Sequence, residues 1–360
     1  TTYESLTQDR YHFAVGAIAK AMGNRNLAWQ RTWQQNYGLD LTLWKNRIDI
    51  SADYYIKTSK DVLTAVTLAP SLGFSSYMDN LGEVENRGYE LSLRATLIRD
   101  QSKKIFWSSA IHNKNKLLKI SNALKAYNET SDSELDKEPN TDGKKSEVNR
   151  PRVRYVEGAS MNSIWVNHSL GIDPATGKEI FVARNGDLVT DWSSANYVIG
   201  GCTDSKVEGT FGSNFTWKGL SLNMTFRYRI GGQMYNQTLV DKVQDVDPRY
   251  NVDKRAFEQR WQEPGDKVRF AAFRTELNGI NVAYVTRPTS RFVEDYNYLE
   301  LATLNLSYEF GTAKLQRCGI KRLKAMFYMN DVFHVSNVKQ ERGIDYPFAR
   351  NFSIGLQARF

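Results

Sequence analysis

The sequence predicts an all-β fold: part of a transmembrane antiparallel β-barrel, with long loops at one end and short turns at the other. Three observations predict it. Apolar and polar residues alternate with period two along several segments of about ten residues or more, longer than most strands of soluble sheets. The polar face of these segments carries full charges along its length, as a water-filled lumen tolerates. Short and long connections alternate strictly, the pattern of short periplasmic turns and long extracellular loops.

Composition narrows the alternatives. The 360 residues are 41% hydrophobic and 12% aromatic, too rich in core-forming side chains for a disordered chain. The longest apolar stretches are short: residues 14–22 already contain Lys20, and residues 63–70 end at Pro70. A membrane helix needs about 18 apolar residues in a row, so a helical membrane protein is excluded while a barrel is not. The sequence starts at Thr1 without a charged and apolar leader. A barrel must be exported, so a preceding N-terminal part is expected. The net charge of +8 comes from 48 basic residues spread among 40 acidic ones, with no run of five like charges. The densest basic stretch, KSEVNRPRVR (145–154), reads as a solvated loop, and no nucleic-acid partner is expected.

The elements follow in order. Residues 1–26 lie on the long-loop side. A strand near 29–43 meets a second near 46–62 at Trp44-Lys45-Asn46, and in the second Ile48, Ile50, Ala52, Tyr54 and Ile56 share one face. After a long segment (63–81), strands near 82–98 and 104–119 meet across a short polar link. Tyr89, Leu91, Leu93, Ala95 and Leu97 alternate with Glu90, Ser92, Arg94 and Thr96. A long extracellular loop covers 120–205. Strands 206–217 and 220–235 meet at Lys218-Gly219, with Leu220 to Ile230 apolar at every second position. A second long extracellular loop covers 236–292, with strands 294–310 and 320–332 after it. A loop over 333–348 leads to the last strand, 349–360.

This count gives nine strands. A complete bacterial barrel has an even number, so strands outside the chain are expected to close it. Trp44, Phe106, Trp107, Trp217, Phe310 and Phe360 gather beside the short turns and would form the periplasmic aromatic girdle. Cys202 falls on the extracellular side and Cys318 in a periplasmic turn, a membrane thickness apart, so no disulfide should join them.

Specific stretches resemble the C-terminal portion of SusC/RagA-type TonB-dependent transporters. They are GNRNLAWQRTWQQNYGLDL (23–41), NLGEVENRGYEL (80–91), EGASMNSIWVNHSLGIDPATGKEIF (157–181), RWQEPGD (260–266), SRFVEDYNYLELATLNLSYEF (290–310) and DYPFARNFSIGLQARF (345–360). They occur in the family's order and span essentially the whole chain. The resemblance implies that this is about the C-terminal half of a 22-stranded outer-membrane barrel. It implies active import of oligosaccharides or peptides, with an N-terminal plug in the lumen, a SusD-like surface lipoprotein as lid, and TonB with its inner-membrane motor pulling on an N-terminal motif. The plug and that motif lie outside this chain. The final strand, ending in Phe360, would be the signal read by the barrel-assembly machinery.

No catalytic arrangement stands out: His12, His112, His168 and His334 are isolated in sequence. Asp245, Asp247 and Asp253 cluster in a long loop and could hold calcium, but the glycine and terminal glutamate of a calcium loop are missing. No other metal or cofactor is expected. Asp132, Glu134 and Asp136 read as a solvated loop. Substrate contacts are expected from loops and upper lumen walls. The candidates are Trp165, Trp192, Tyr197, Tyr250 and Trp261, aromatics in long loops that could instead pack a loop or meet the lid protein. Arg227 and Arg229 should line the lumen near the extracellular side, or balance lumen carboxylates. The rival readings are a surface glycan-binding β-protein and an outer-membrane barrel enzyme.

Overall fold

The computed structural model describes residues 2–11, 14–67, 74, 76–80, 82–98, 102–120, 122–136, 148–246, 251–273, 285–311, 319–339 and 350–360. The strands in chain order are β1 (Thr2–Tyr11), β2 (Ala14–Ala21), β3 (Arg31–Leu43), β4 (Ile48–Lys60), β5 (Leu63–Thr67), β6 (Ser76–Asn80), β7 (Gly82–Ile98), β8 (Ser102–Ile120), β9 (Ser163–Ile172), β10 (Glu179–Val182), β11 (Leu188–Val189), β12 (Tyr197–Cys202), β13 (Val207–Trp217), β14 (Leu220–Ile230), β15 (Gln233–Tyr235), β16 (Val293–Asp295), β17 (Tyr298–Phe310), β18 (Arg322–Ser336) and β19 (Phe352–Arg359). Nine of them, β3, β4, β7, β8, β13, β14, β17, β18 and β19, form one sheet in that order, with β3 and β19 at its edges. They are the nine strands expected from alternation. β1 and β2 form a hairpin of their own within residues 1–26.

The pairing registers give the sheet two chemically distinct faces. Leu41, Ile50, Leu93, Ser108, Phe211, Phe226, Leu301 and Phe333 form one row across eight strands. The row beside it, one residue along on the opposite face, runs Asp40, Ser51, Ser92, Ser109, Thr210, Arg227, Glu300 and His334. A slip of one residue would interchange the faces, so alternation and register enforce each other. The apolar face is open: Leu91 is 44% exposed, Ile230 57% and Leu306 38%, although all three lie on interior strands. A soluble sandwich buries this face against a second sheet; here it is the lipid-facing wall. From Leu220 to Ile230 the chain rises about 34 Å, or about 26 Å along the membrane normal at a tilt of about 40°, matching the ~25 Å apolar band of outer-membrane barrels.

The tight turns lie at one end. Trp44, Lys45 and Asn46 all have positive φ (50°, 54° and 62°), and Arg47 donates its N–H to Leu43 O at 3.1 Å. Lys218 (φ 42°) and Gly219 (φ 88°) make a two-residue turn of the mirror-image kind that suits strand twist, which is why glycine follows lysine there. Trp217 and Phe310 lie on the apolar face beside these turns, and Phe360 is exposed after β19. Trp107 departs from the girdle expected of it. It pairs with Arg94 and Gly212 on the polar face, because alternate residues of a strand face opposite sides and this register gives Trp107 the polar one.

Among the described residues, the long connections at the other end contain regular elements of their own. Residues 120–205 contain helix α1 (Asn122–Asp136) and a four-stranded sheet in the order β11, β10, β9, β12. The loop reading of Asp132, Glu134 and Asp136 fails here, because they lie in a helix. Leu124, Ser131 and Leu135 are buried along one face of α1; Asp132 pairs with Arg154 at 2.9 Å, and Asp136 accepts from the Ser194 N–H (2.8 Å) and hydroxyl (2.5 Å). The described part of the basic stretch, 148–154, is a loop as expected; Arg150 and Val153 are exposed, while Val148 and Asn149 are buried and Arg154 pairs with Asp132. Residues so spaced on a helix bury one stripe, and their carboxylates then find partners in the packed loop.

Candidate functional site

The candidate site is the assembly of long connections at the head of the barrel wall, over the end where Arg227 and Arg229 project from the polar face. Local turns build it first. Asp173 accepts from Ala175 N–H at 3.0 Å and the Thr176 hydroxyl at 2.6 Å, which folds the turn Asp173–Gly177 and holds its carboxyl below the usual carboxylate range. Trp261 Nε1 and Gly265 N–H both donate to Pro174 O at 2.8 Å. Gly177 (φ +69°) sits under the Trp261 ring, where a Cβ would come within 2.6 Å of ring atoms. Two stretches far apart in sequence are thereby locked together.

Charged anchors join further segments. Glu179 and Arg291 form a buried pair at 2.8 Å, and Glu179 also accepts from the Thr289 hydroxyl at 2.5 Å. Such a pair holds position because breaking one side leaves an uncompensated buried charge. Arg260, 2% exposed, donates to Ala256 O, Ala271 O, Val243 O and Gln244 O. Around it Leu239, Val240, Val243, Ala256, Phe270 and Phe292 form an apolar core. Asp245 accepts from Thr286 N–H at 2.9 Å and its hydroxyl at 2.5 Å. At the other side of the wall, Asn80 accepts from Ala28 N–H (2.9 Å) and donates to Ala28 O (3.0 Å) and Asp61 O (2.8 Å), tying the start of β7 to the approach to β3.

The aromatics singled out from sequence divide. Trp165, Tyr197 and Leu135 form a second buried core, with Trp192 packed against it and its ring edge-on to Tyr197 at 5.4 Å. Trp165 and Tyr197 are 5% and 1% exposed, so in this structure their rings pack the loop. Burial, and then nearby Asp132, push the Tyr197 phenol above its ordinary range. Trp192 donates to Pro288 O at 3.0 Å, and Trp261 braces the Asp173–Gly177 turn. Tyr250 lies outside the described residues. Arg227 stands 4.0 Å from Glu300 on the polar face; Arg229 donates to Thr203 O and lies over the Tyr296 ring at 5.6 Å.

The acidic and nucleophilic candidates are dispersed. Asp247 and Cys318 lie outside the described residues, as does His12. Asp253 is held by Arg255 at 2.6 Å, whose side-chain and then backbone hydrogen bonds keep the carboxyl well below the usual range. Among the described residues no group of three or more His, Cys, Asp or Glu is arranged to hold a metal ion. His112 stacks on Tyr89, His334 on Tyr298, and His168 lies in β9. Cys202 is unpaired in β12, with Sγ 3.3 Å from Asp204, and burial raises its thiol. The sequence reading missed an open cavity of about 390 Å³ lined by Asn236 and Leu239, by Glu294 and Asp295 of β16, and by residues 255, 269 and 337–339. It presents both signs of charge, from Arg255, Arg269 and Lys339 and from Glu294 and Asp295, and no linear motif could reveal it because its walls come from five separate segments.

This architecture has known counterparts. Residues 1–241 match the family described as TonB dependent receptor-like, beta-barrel. TonB-dependent receptor P39 of Formosa agariphila is 26% identical over 97% of this chain and 37% of that relative. TonB-dependent receptor SusC of Bacteroides thetaiotaomicron is 26% identical over 61% of this chain and 21% of its own length. The solved RagAB peptide transporter superposes with a TM-score of 0.73 at 20% identity, over 99% of this chain and 38% of that one. The chain thus spans well under half the length of these relatives. With a two-faced barrel wall and structured loops gathered at one end, it belongs to the TonB-dependent receptor-like β-barrel family of the outer membrane.

Proposed function

We propose that this chain is the C-terminal part of an energy-coupled importer that takes up oligosaccharides or peptides through the outer membrane. TonB and its inner-membrane motor act through the N-terminal part, and a SusD-like surface lipoprotein caps the loop assembly. The observation that carries the reading is the pairing of a charged, water-tolerant face with a braced loop assembly at one end of the wall. A pore for polar solutes needs the first; capture above it needs the second. Arg227, Arg229 and the mixed-charge cavity offer hydrogen-bond and ionic partners for sugar hydroxyls or peptide termini. Calcium in the 245–253 loop remains part of the proposal only as an aid to that loop's order.

The test is uptake. In the native host, deletion of the gene should abolish accumulation of one class of labelled oligosaccharide or peptide, and a protonophore should do the same to the wild type. Uptake that survives both treatments excludes the importer. Binding at the cell surface without uptake would favour the glycan-binding protein instead.

A further inference from the structure

The registers also place a cationic field on the outside of the wall. On the lipid face of β3, β4, β7 and β8, Tyr37, Tyr54, Tyr89 and His112 form a row aligned across the four strands. Tyr37 and Tyr54 stack at 6.5 Å, and Tyr89 and His112 at 5.1 Å. Tyrosines collect where hydrocarbon gives way to headgroups, so this row marks the outer interface. The next outward-facing rows carry Arg31, Lys60, Arg87, Lys114, Lys116 and Lys119, with Glu83 and Glu85 among them and Trp33, Gln35, Ile56 and Thr58 on the β3 and β4 side. Three of these cations are partly neutralised: Arg31 by Asp61 at 3.2 Å, Lys60 by Glu83 at 3.4 Å and Arg87 by Glu85 at 2.6 Å. Lys114, Lys116 and Lys119 are exposed and make no ion pair among the described residues.

We infer that the β7–β8 sector, centred on Lys114 and Lys116 with Arg87 beside them, binds a phosphorylated lipid headgroup of the outer leaflet. Alternate residues on a strand lie ~7 Å apart and neighbouring strands ~4.8 Å apart, so one phosphate can touch two or three of these cations. Its acyl chains would lie on the apolar rows below the tyrosines, where Leu91 and Leu93 sit. A soluble anion would gain nothing from those rows, so the field and the band together select a lipid.

The full-length protein, purified and placed in nanodiscs of phosphatidylcholine with or without phosphatidylglycerol, allows a direct test by native mass spectrometry. The wild type should retain phosphatidylglycerol selectively. Lys114→Gln with Lys116→Gln should lower retention about fivefold per lysine, the scale of one membrane-adjacent cation. Lys57→Gln, at similar height but on the polar face, should change nothing. Heat-modifiable migration in gels reports barrel assembly, and the single variants Lys114→Gln and Lys119→Gln give the reading if the double variant does not assemble. Unchanged retention in an assembled variant, equal loss in Lys57→Gln, or displacement of the lipid by inorganic phosphate at equal concentration would overturn the inference.

Discussion

Replacing Arg260 by Met should open the loop assembly while leaving the barrel wall intact. The guanidinium donates to four backbone carbonyls at 2.7, 2.8, 2.7 and 2.8 Å, from residues 256, 271, 243 and 244. At about 1 kcal/mol net for each bond, the loss is about 4 kcal/mol. Each carbonyl left buried without a donor adds its own desolvation cost, about 1–3 kcal/mol. Methionine fills much of the volume, so cavity formation adds little. Lysine would not rescue, because one ammonium cannot address four carbonyls that a planar fork reaches. Hydrogen exchange is the assay, read at Trp261, Phe270 and Ala272, whose N–H groups donate to Phe270 O, Gln259 O and Gly177 O. Where exchange proceeds by opening of this assembly, a 4 kcal/mol loss weakens protection roughly several-hundred-fold. Exchange in β13 and β14 should not change. Unchanged protection at Trp261, Phe270 and Ala272 would refute the claim that Arg260 holds these segments.

Further outcomes follow from the same reasoning. Met224→Arg places a charge near the middle of the apolar face and should cost about 2–4 kcal/mol of barrel stability in urea titration, whereas Asn223→Arg on the polar face should cost far less. Gly177→Ala combines a positive φ with a Cβ 2.6 Å from the Trp261 ring, so the Asp173–Gly177 turn should become a site of rapid proteolysis. Asp253 is lowered in the folded state, so the stability it contributes is present above its unfolded value and is lost as pH falls through the folded one. Acidification below about 4 should therefore loosen residues 251–258, and Asp253→Asn should remove that pH dependence in limited proteolysis.

How much of this was legible beforehand depends on the range of the interaction concerned. Strand pairs such as β13–β14 are local: alternation, a Lys-Gly turn and the charged face are all written within 24 residues, 207–230. Helix α1 was missed although Leu124, Ser131 and Leu135 fall on one helical face, because its polar composition resembles a loop. The aromatics Trp165 and Tyr197 were visible as aromatics but not as a buried pair, since the partners that cover them come from α1 and from residues near 192. The bonds that brace the site join residues 87, 110 and 112 positions apart, as Trp261 to Pro174, Thr289 to Glu179 and Arg291 to Glu179. By itself the sequence determined the nine strands, their faces and their turns, because a period of two and a tight turn are properties of neighbouring residues. Only the tertiary structure decided which loops meet, which aromatics close on one another and where the outer cations align. Those follow from register and chain crossing, and no short stretch of residues encodes either.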